Sequence, residues 1–275
     1  MRRVRLLFIG DVVGSPGRRV VQELLPGLRD SEQPDFVIVN GENSAGGVGI
    51  TAKVAHELFE LGADAITLGN HAFRHRDVYE LLDTDARIVR PANYPKASPG
   101  RGHTILERDG ARLAVANISG MVFLDAARSP FAEADAVLGE LRGKADHVLV
   151  DFHAEATSEK VAMGWHLDGR VTACVGTHTH VPTADARVLP GGTAYVTDVG
   201  MTGARGGVIG VRREQALERF LTQLPARFEP SDDDPWLNAV IVDADASGRA
   251  TGIRQLLIPY SPSSAASNGP VNQTM

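Results

Sequence analysis

One cysteine, Cys174, stands in a chain of 275 residues. A single thiol closes no internal disulfide and cannot build a thiolate cage around a metal. It sits in the apolar run Val171-Thr172-Ala173-Cys174-Val175, the setting of a small buried core residue. Long apolar runs are missing as well: none approaches the roughly 20 residues that cross a bilayer. The opening Met1-Arg2-Arg3-Val4-Arg5 has the basic start of a secretion signal, but the apolar stretch Leu6-Leu7-Phe8-Ile9 stops at Gly10-Asp11. That stretch reads as a first core strand, and a cytoplasmic protein with no membrane association is expected. Positive charge is also in short supply. The 28 Lys and Arg against 34 Asp and Glu leave a net charge of −6, which argues against broad electrostatic capture of nucleic acid and a stable nucleic-acid complex. The local cluster Arg74-His75-Arg76 reads as a solvated face.

What is present is an ordinary globular composition, 43% apolar, in a chain long enough for one large α/β domain. Strand and helix patterns alternate with short joints, as in βαβ units. Residues 4–9 read as a buried strand. Ser15-Pro16 then offers an N-cap and a first helical position, for a helix over 15–28 with Val20, Val21, Leu24, Leu25 and Leu28 at helical spacing, Pro26 falling near its last turn. Strands are expected at 36–39 and 65–68, with a helix between them capped by Thr51 and stopped by Gly62. Residues 74–108, with a short helix near 77–82 and then Pro91, Pro95, Pro99, Gly100 and Gly102, read as a small insertion or cap beside the site, or else as a long connection. Further strands are expected at 111–118, 147–151, 171–175, 193–196 and 208–209. Helices are expected at 131–141 and at 214–224, the latter with Ala216, Leu217, Phe220 and Leu224 on one face. Residues 239–243 and 253–258 flank a turn-rich joint and should form a hairpin. The domain is thus 1–260, and 261–275 reads as a loosely ordered tail. No internal repeat is visible.

The chemistry lies in a repeated grammar of strand, glycine and ligand. Gly10-Asp11, Gly41-Glu42-Asn43, Gly69-Asn70-His71 and Gly176-Thr177-His178-Thr179-His180 each follow a strand pattern, and Asp151-Phe152-His153 belongs with them. Strand ends of an α/β sheet open into one crevice. Taken singly, each motif suits a turn or a capped polar pair. Their joint placement, with four of the nine histidines, points to a site. His178 and His180, two apart in an extended segment, would face the same way. Asp, Glu, Asn and His are together a ligand set for two hard-to-borderline divalent metals. Such a pair, about 3.5–4 Å apart, can hold a bridging hydroxide near neutral pH and bind phosphoryl oxygens. A further His outside the coordination shell can protonate the leaving alkoxide. Asp151, Glu155, Asp185 and Asp198 lie where they could orient imidazoles, or else act as caps and surface carboxylates. The run Ser44-Ala45-Gly46-Gly47-Val48-Gly49 reads as a flexible rim. Phe123 and Leu124 read as core in preference to an apolar wall of the site, and His166 as structural.

In order and spacing these motifs resemble the calcineurin-like metallophosphoesterases, and among them the YmdB-like branch of bacterial phosphodiesterases. Gly10-Asp11-Val12-Val13-Gly14, Asn40-Gly41-Glu42-Asn43-Ser44, Thr67-Leu68-Gly69-Asn70-His71 and the segment from Gly176 through His178 and His180 to Asp185 carry the resemblance, which covers about residues 4–258. The resemblance implies a four-layer α-β-β-α sandwich with metals at the strand ends. Asp11, Asn43 and His180 would hold one metal, Asn70, His153 and His178 the other, with Glu42 bridging and His71 as proton donor. The implied metals are iron or manganese, with zinc a third candidate. The implied activity is hydrolysis of cyclic nucleotides, 2′,3′ or 3′,5′. Two departures from the wider superfamily stand out: Asp11-Val12-Val13 lacks the histidine of Asp-x-His, and Glu42 replaces a bridging Asp.

The expectation is therefore a metal-dependent phosphoric diester hydrolase acting on a small cyclic nucleotide, with a homo-oligomer left open. A phosphomonoesterase using the same site is the alternative within enzymes. A regulator that binds a nucleotide or RNA without turnover is the alternative outside them, and a histidine beside Asn70 speaks against it, since a pure binder needs no proton donor.

Overall fold

The computed structural model describes residues 2–261, so the tail expected to be loose lies, from 262 on, outside the described residues. In chain order the elements are β1 (Val4–Ile9), α1 (Gly14–Glu32), β2 (Phe36–Asn40), α2 (Ala52–Glu60), β3 (Ala65–Thr67), α3 (Tyr79–Thr84), β4 (Ile88–Val89), β5 (His103–Arg108), β6 (Ala111–Ser119) and α4 (Pro130–Leu141). There follow β7 (His147–His153), α5 (Thr157–Leu167), β8 (Ala173–Thr177), β9 (Arg187–Val188), β10 (Ala194–Val196), β11 (Gly203–Ala204), α6 (Arg213–Thr222), β12 (Pro235–Ala244) and β13 (Ala250–Pro259).

The strands form two sheets. The first runs β11-β12-β1-β2-β3-β4 with β13 added on β12; the second runs β5-β6-β7-β8-β10-β9. Strands β1 to β4 are mutually parallel, as are β6, β7, β8 and β10, which requires helical crossovers and buries both faces. Even-numbered Leu6, Phe8, Phe36 and Ile38 meet Leu113, Val115, Leu149 and Val175 in a core between the sheets. Odd-numbered Leu7, Ile9, Val37 and Val39 pack outward on Val20, Val21, Leu25 and Leu58 of the first helix layer. Val150, Phe152 and Cys174 do the same beneath Val137, Leu141, Met163 and Leu167. The period of two sends alternate side chains to different layers, and the result is the expected α-β-β-α sandwich.

Residues 74–108 supply β4 at the edge of the first sheet and β5 at the edge of the second, and so carry the chain from one sheet to the other. Among the described residues no helix is long and apolar enough to cross a membrane.

Several local expectations need correction. Ser15 does not cap α1: Gly14 N–H donates to the carbonyl of Asn43 and Val13 N–H to that of Thr202, so neighbouring loops take the role of a capping side chain. Pro26, which would be expected to shorten the helix near its last turn, does not: Pro26 and Gln22 are both exposed, so the carbonyl that loses its donor lies on the solvent side, and α1 runs on to Glu32. The helix ends instead at Gln33 in the left-handed region, φ 52°. Thr51 does cap α2, accepting from Val54 N–H at 3.3 Å. The strand expected at 208–209 is a tight turn, with Val208 and Val211 bridged across Ile209 and Gly210, both at positive φ. In α6 only Ala216 is buried, while Leu217, Phe220 and Leu224 are exposed. Phe123 is exposed too and is not a core residue. Helix α5 and strand β5 had no counterpart in the sequence reading.

Candidate metal centre

The C-terminal ends of β1, β2 and β3 in one sheet and of β7 and β8 in the other open on the same rim. A buried hydrogen bond from Asn40 Nδ2 to Asp151 Oδ2, 2.9 Å, ties the two rims together. The first sheet delivers Asp11, Glu42, Asn43, Asn70 and His71; the second delivers His153, His178 and His180.

Around Glu42 the donor atoms converge. Glu42, His153 and His178 offer ligand atoms all within 4.8 Å of one another. His153 Nε2 lies 3.2 Å from Glu42 Oε2, 2.9 Å from Asn70 Oδ1 and 3.0 Å from His178 Nδ1. The network fixes which nitrogens are lone pairs. The Thr177 hydroxyl donates to Asp151 Oδ1 at 2.6 Å and so accepts from His153 Nδ1 at 2.9 Å, which turns His153 Nε2 inward. His178 Nε2 faces Glu155 Oε2 at 3.1 Å, which turns its Nδ1 inward. A carboxylate oxygen, an amide oxygen and two imidazole nitrogens thus point at one place. Acceptors gathered without a donor repel one another unless a proton or a cation lies among them.

The second half of the centre adjoins it. Asp11 is fully buried; its Oδ2 accepts from His178 N–H at 3.2 Å, and its Oδ1 has no partner among the described residues. An unpartnered buried carboxylate oxygen is costly. His180 Nδ1 donates to the Ile209 carbonyl at 2.9 Å, which leaves Nε2 facing Asn43 Nδ2 at 3.1 Å. That amide nitrogen also donates to Glu42 Oε1 at 2.9 Å. His71 stands at the mouth, its side chain 36% exposed, with Nδ1 2.9 Å from Asn43 Oδ1 and 3.2 Å from Glu42 Oε1.

Protonation follows the same geometry. Burial alone would raise the Glu42 carboxyl, but His153 and His71 outweigh it and hold it well below the usual range. Burial alone would lower His153, but Glu42 outweighs it and lifts the ring to about 9. Burial, with the adjoining His153, pushes His178 down to about 3. Burial pushes Asp11 up to about 6 against the pull of His180 and His153. The proton on His153 is held by the atoms that would hold a cation in its place. Glu42, Asn70, His153, His178, His180 and the orphaned Asp11 oxygen offer lone pairs that fit divalent metal ions, whereas Asn43 presents Nδ2 to Glu42 and His180 and would have to turn its amide over to offer an oxygen.

Residues 178–180 are not extended, since β8 ends at Thr177 and both histidines take positive φ, 100° and 67°. The two rings therefore diverge, His178 to His153 and His180 to Asn43. Such backbone in non-glycine residues is strained and persists only where surroundings over-determine it. The surroundings here are Lys160 and Asp198, both 1% exposed in their side chains and 2.5 Å apart. Lys160 Nζ donates to the Thr177 carbonyl, and Asp198 Oδ2 accepts from the N–H and hydroxyl of Thr179. Asp198 therefore anchors the loop and orients no imidazole. Asp185 accepts from Thr183 and Thr197 and likewise orients none. Glu155 does so directly, Asp151 through Thr177. His166 bonds to Asp135 on the surface, away from the centre. Thr177, Asn40 and Lys160 escaped the sequence reading. Only burial separates such a lysine from a solvated one.

The fold and this centre place the chain in the metallophosphoesterase class. A model of the YmdB-like proteins matches residues 7–256, and the chain belongs to that family. It is 48% identical over 256 residues, 93% of this chain and 97% of the other, to the 2′,3′-cyclic-nucleotide 2′-phosphodiesterase of Bacillus subtilis (strain 168). The crystal structure of a hypothetical protein from Thermus thermophilus superposes with a TM-score of 0.88 at 45% identity, covering 94% of this chain and 100% of that one. The NAD nucleotidase of Haemophilus influenzae shares the fold alone, with a TM-score of 0.56 at 13% identity over 94% of this chain and 56% of its own.

Proposed function

We propose that this hydrolase opens 2′,3′-cyclic nucleotides at the 2′ ester bond, using a pair of divalent metals held by Asp11, Asn43 and His180 on one side and Asn70, His153 and His178 on the other, with Glu42 between them. The observation that carries the reading is the convergence of unprotonated acceptors on His153 Nε2 beside the orphaned Asp11 oxygen. The name borne by the Bacillus subtilis relative, close over nearly its whole length, supplies the substrate class.

Bound metals would supply a water nucleophile near neutral pH and positive charge for the phosphoryl oxygens. The chain's own residues do the rest. Glu42, charged although buried, draws the two halves of the centre together and accepts from the backbone N–H of His71 at 3.3 Å. Asn43 and Glu42 hold His71 by Nδ1, leaving Nε2 at the mouth beside Asn70. From there a protonated His71 passes its proton to ribose O2′ as the P–O2′ bond breaks, while water adds hydroxide to phosphorus and releases its own proton to solvent, from which His71 is reprotonated; the product is the 3′-monophosphate. The metals are iron or manganese in this reading, as in the branch the motifs resemble.

Metal analysis of protein purified without chelator, followed by rates on 2′,3′-cyclic AMP and on 3′-AMP, tests the proposal. Two metals per chain and a marked preference for the cyclic diester are expected. Faster release of phosphate from the monoester would make the protein a phosphomonoesterase, and substrate binding without product in fully metallated protein would make it a regulator. His71→Ala should keep both metals and lose about 10²–10⁴-fold in turnover of the cyclic nucleotide, the usual range for a proton-transfer group. Unchanged turnover would remove His71 from the reaction.

A further inference from the structure

Beside the metal centre lies a second cavity, of about 390 Å³, lined by His180, Pro182, Met201, Ile209, Trp236, Asn238 and Leu257 among others. It falls within the about 300–1,000 Å³ typical of small-molecule sites. The strand register explains its place. Ile9 pairs with Ala239, so the N-terminal end of β12 runs beside the end of β1 that carries Asp11. Along β12, Leu237, Ala239 and Ile241 face the helix layer, whereas Val240 and Val242 face the inter-sheet core. Trp236 and Asn238 follow the second set, at the point where that core opens on the catalytic rim. Leu257 of β13 lies directly opposite Asn238 and closes the floor on the same face.

We infer that this cavity is the seat of the substrate's nucleobase. The inference rests on the cyclic-nucleotide reading above and adds to it the part of the substrate that the metals do not touch. Three observations carry it. His180 belongs to both sites, so a phosphate at the metals leaves the base, one ribose ring away, at the mouth of this cavity. The walls are mainly apolar: Met201, Ile209, Pro182 and Leu257 line the cavity together with the indole of Trp236, and the Arg205 guanidinium lies 4.3 Å from that ring's centre. A planar heterocycle is the ligand such walls suit. Finally, among the described residues only the backbone of Asn238 hydrogen-bonds within the protein, to Thr202 and Gly10. Its side-chain amide, one donor end and one acceptor end, is left for a ligand, and an amide of this kind reads the edge of a base through paired hydrogen bonds.

The test separates this inference from the activity itself. Adenosine, which has no phosphate, and the methyl riboside, which has no base, are compared for binding by saturation-transfer NMR. Their two 2′,3′-cyclic phosphates are compared for hydrolysis. The wild-type protein should bind adenosine and not the riboside, and should favour the nucleotide by about tenfold or more in kcat/KM, mostly through KM. Leu257→Trp, which fills the cavity, and Trp236→Ala, which removes a wall, should each abolish adenosine binding and cut that preference severalfold. Adenosine binding that is lost in Leu257→Trp, in a protein that hydrolyses neither ester, would leave the base seat standing and end the phosphodiesterase reading. Equal kcat/KM on the two cyclic esters, or a preference that survives both substitutions, would overturn the base seat.

Discussion

A Cβ built on Gly69 would lie 2.1 Å from Glu42 Oε2 and 2.2 Å from His153 Nε2, so the backbone of the third motif forms a wall of the centre itself. Neither neighbour can retreat, since both are fully buried. Gly69→Ala should therefore displace Glu42 or His153 and lower the metal content of the purified protein, as measured by elemental analysis; full occupancy in a folded variant would place the metals elsewhere. Glu42→Gln tests charge without shape. The neutral amide cannot offset two cations, and metal content should fall while the far-ultraviolet spectrum stays native. At this scale the sequence is legible where a polar residue follows a strand and a glycine, which marks Asp11, Glu42, Asn43, Asn70, His71, His178 and His180 as candidates. His153, at the end of its own strand with no glycine before it, is marked only by its company, and the structure groups it with Glu42 and His178. The sequence is silent on Thr177 and Asn40, because their roles are hydrogen bonds made across strands far apart in the chain.

At the scale of elements, the long amphipathic helices and the buried parallel strands announced themselves, while α5 did not. That helix carries apolar and polar residues with little separation, and it buries Lys160 and Glu159 along with Met163 and Leu167. Strand β5 alternates only weakly and pairs at a sheet edge. The expected apolar face of α6 shows the opposite mismatch, a helical pattern that the fold leaves exposed. The buried lysine gives α5 its consequence, since it pins the loop that bears His178 and His180. Lys160→Met leaves the Asp198 charge buried and unpaired, a loss of about 3–5 kcal/mol. Pairing it with Asp198→Asn removes the stranded charge and should recover part of that stability. Urea unfolding of both variants measures the difference. A single variant as stable as the wild type would show that the pair holds nothing in place.

For the whole molecule, the decisive feature is that the residues proposed as ligands come from two sheets with separate hydrogen-bond ladders. The sheets meet through an apolar core and a few polar ties such as Asn40 to Asp151. Metals held jointly by Glu42 and Asn70 from one sheet and by His153 and His178 from the other would cross-link the layers at the rim. Binding to the folded state alone stabilises it by mass action, about 2.7 kcal/mol at a free metal concentration one hundred times Kd. In a chain of this size each kcal/mol moves the melting temperature by about 2–4 °C. Chelation should therefore lower the melting temperature by several degrees. Because the ligands span both layers, one transition should shift as a whole instead of splitting into two. Calorimetry of chelated and metal-restored protein reads this directly. A melting temperature that ignores metal removal, or a split in which only one layer responds, would mean that the cations do not bridge the sheets.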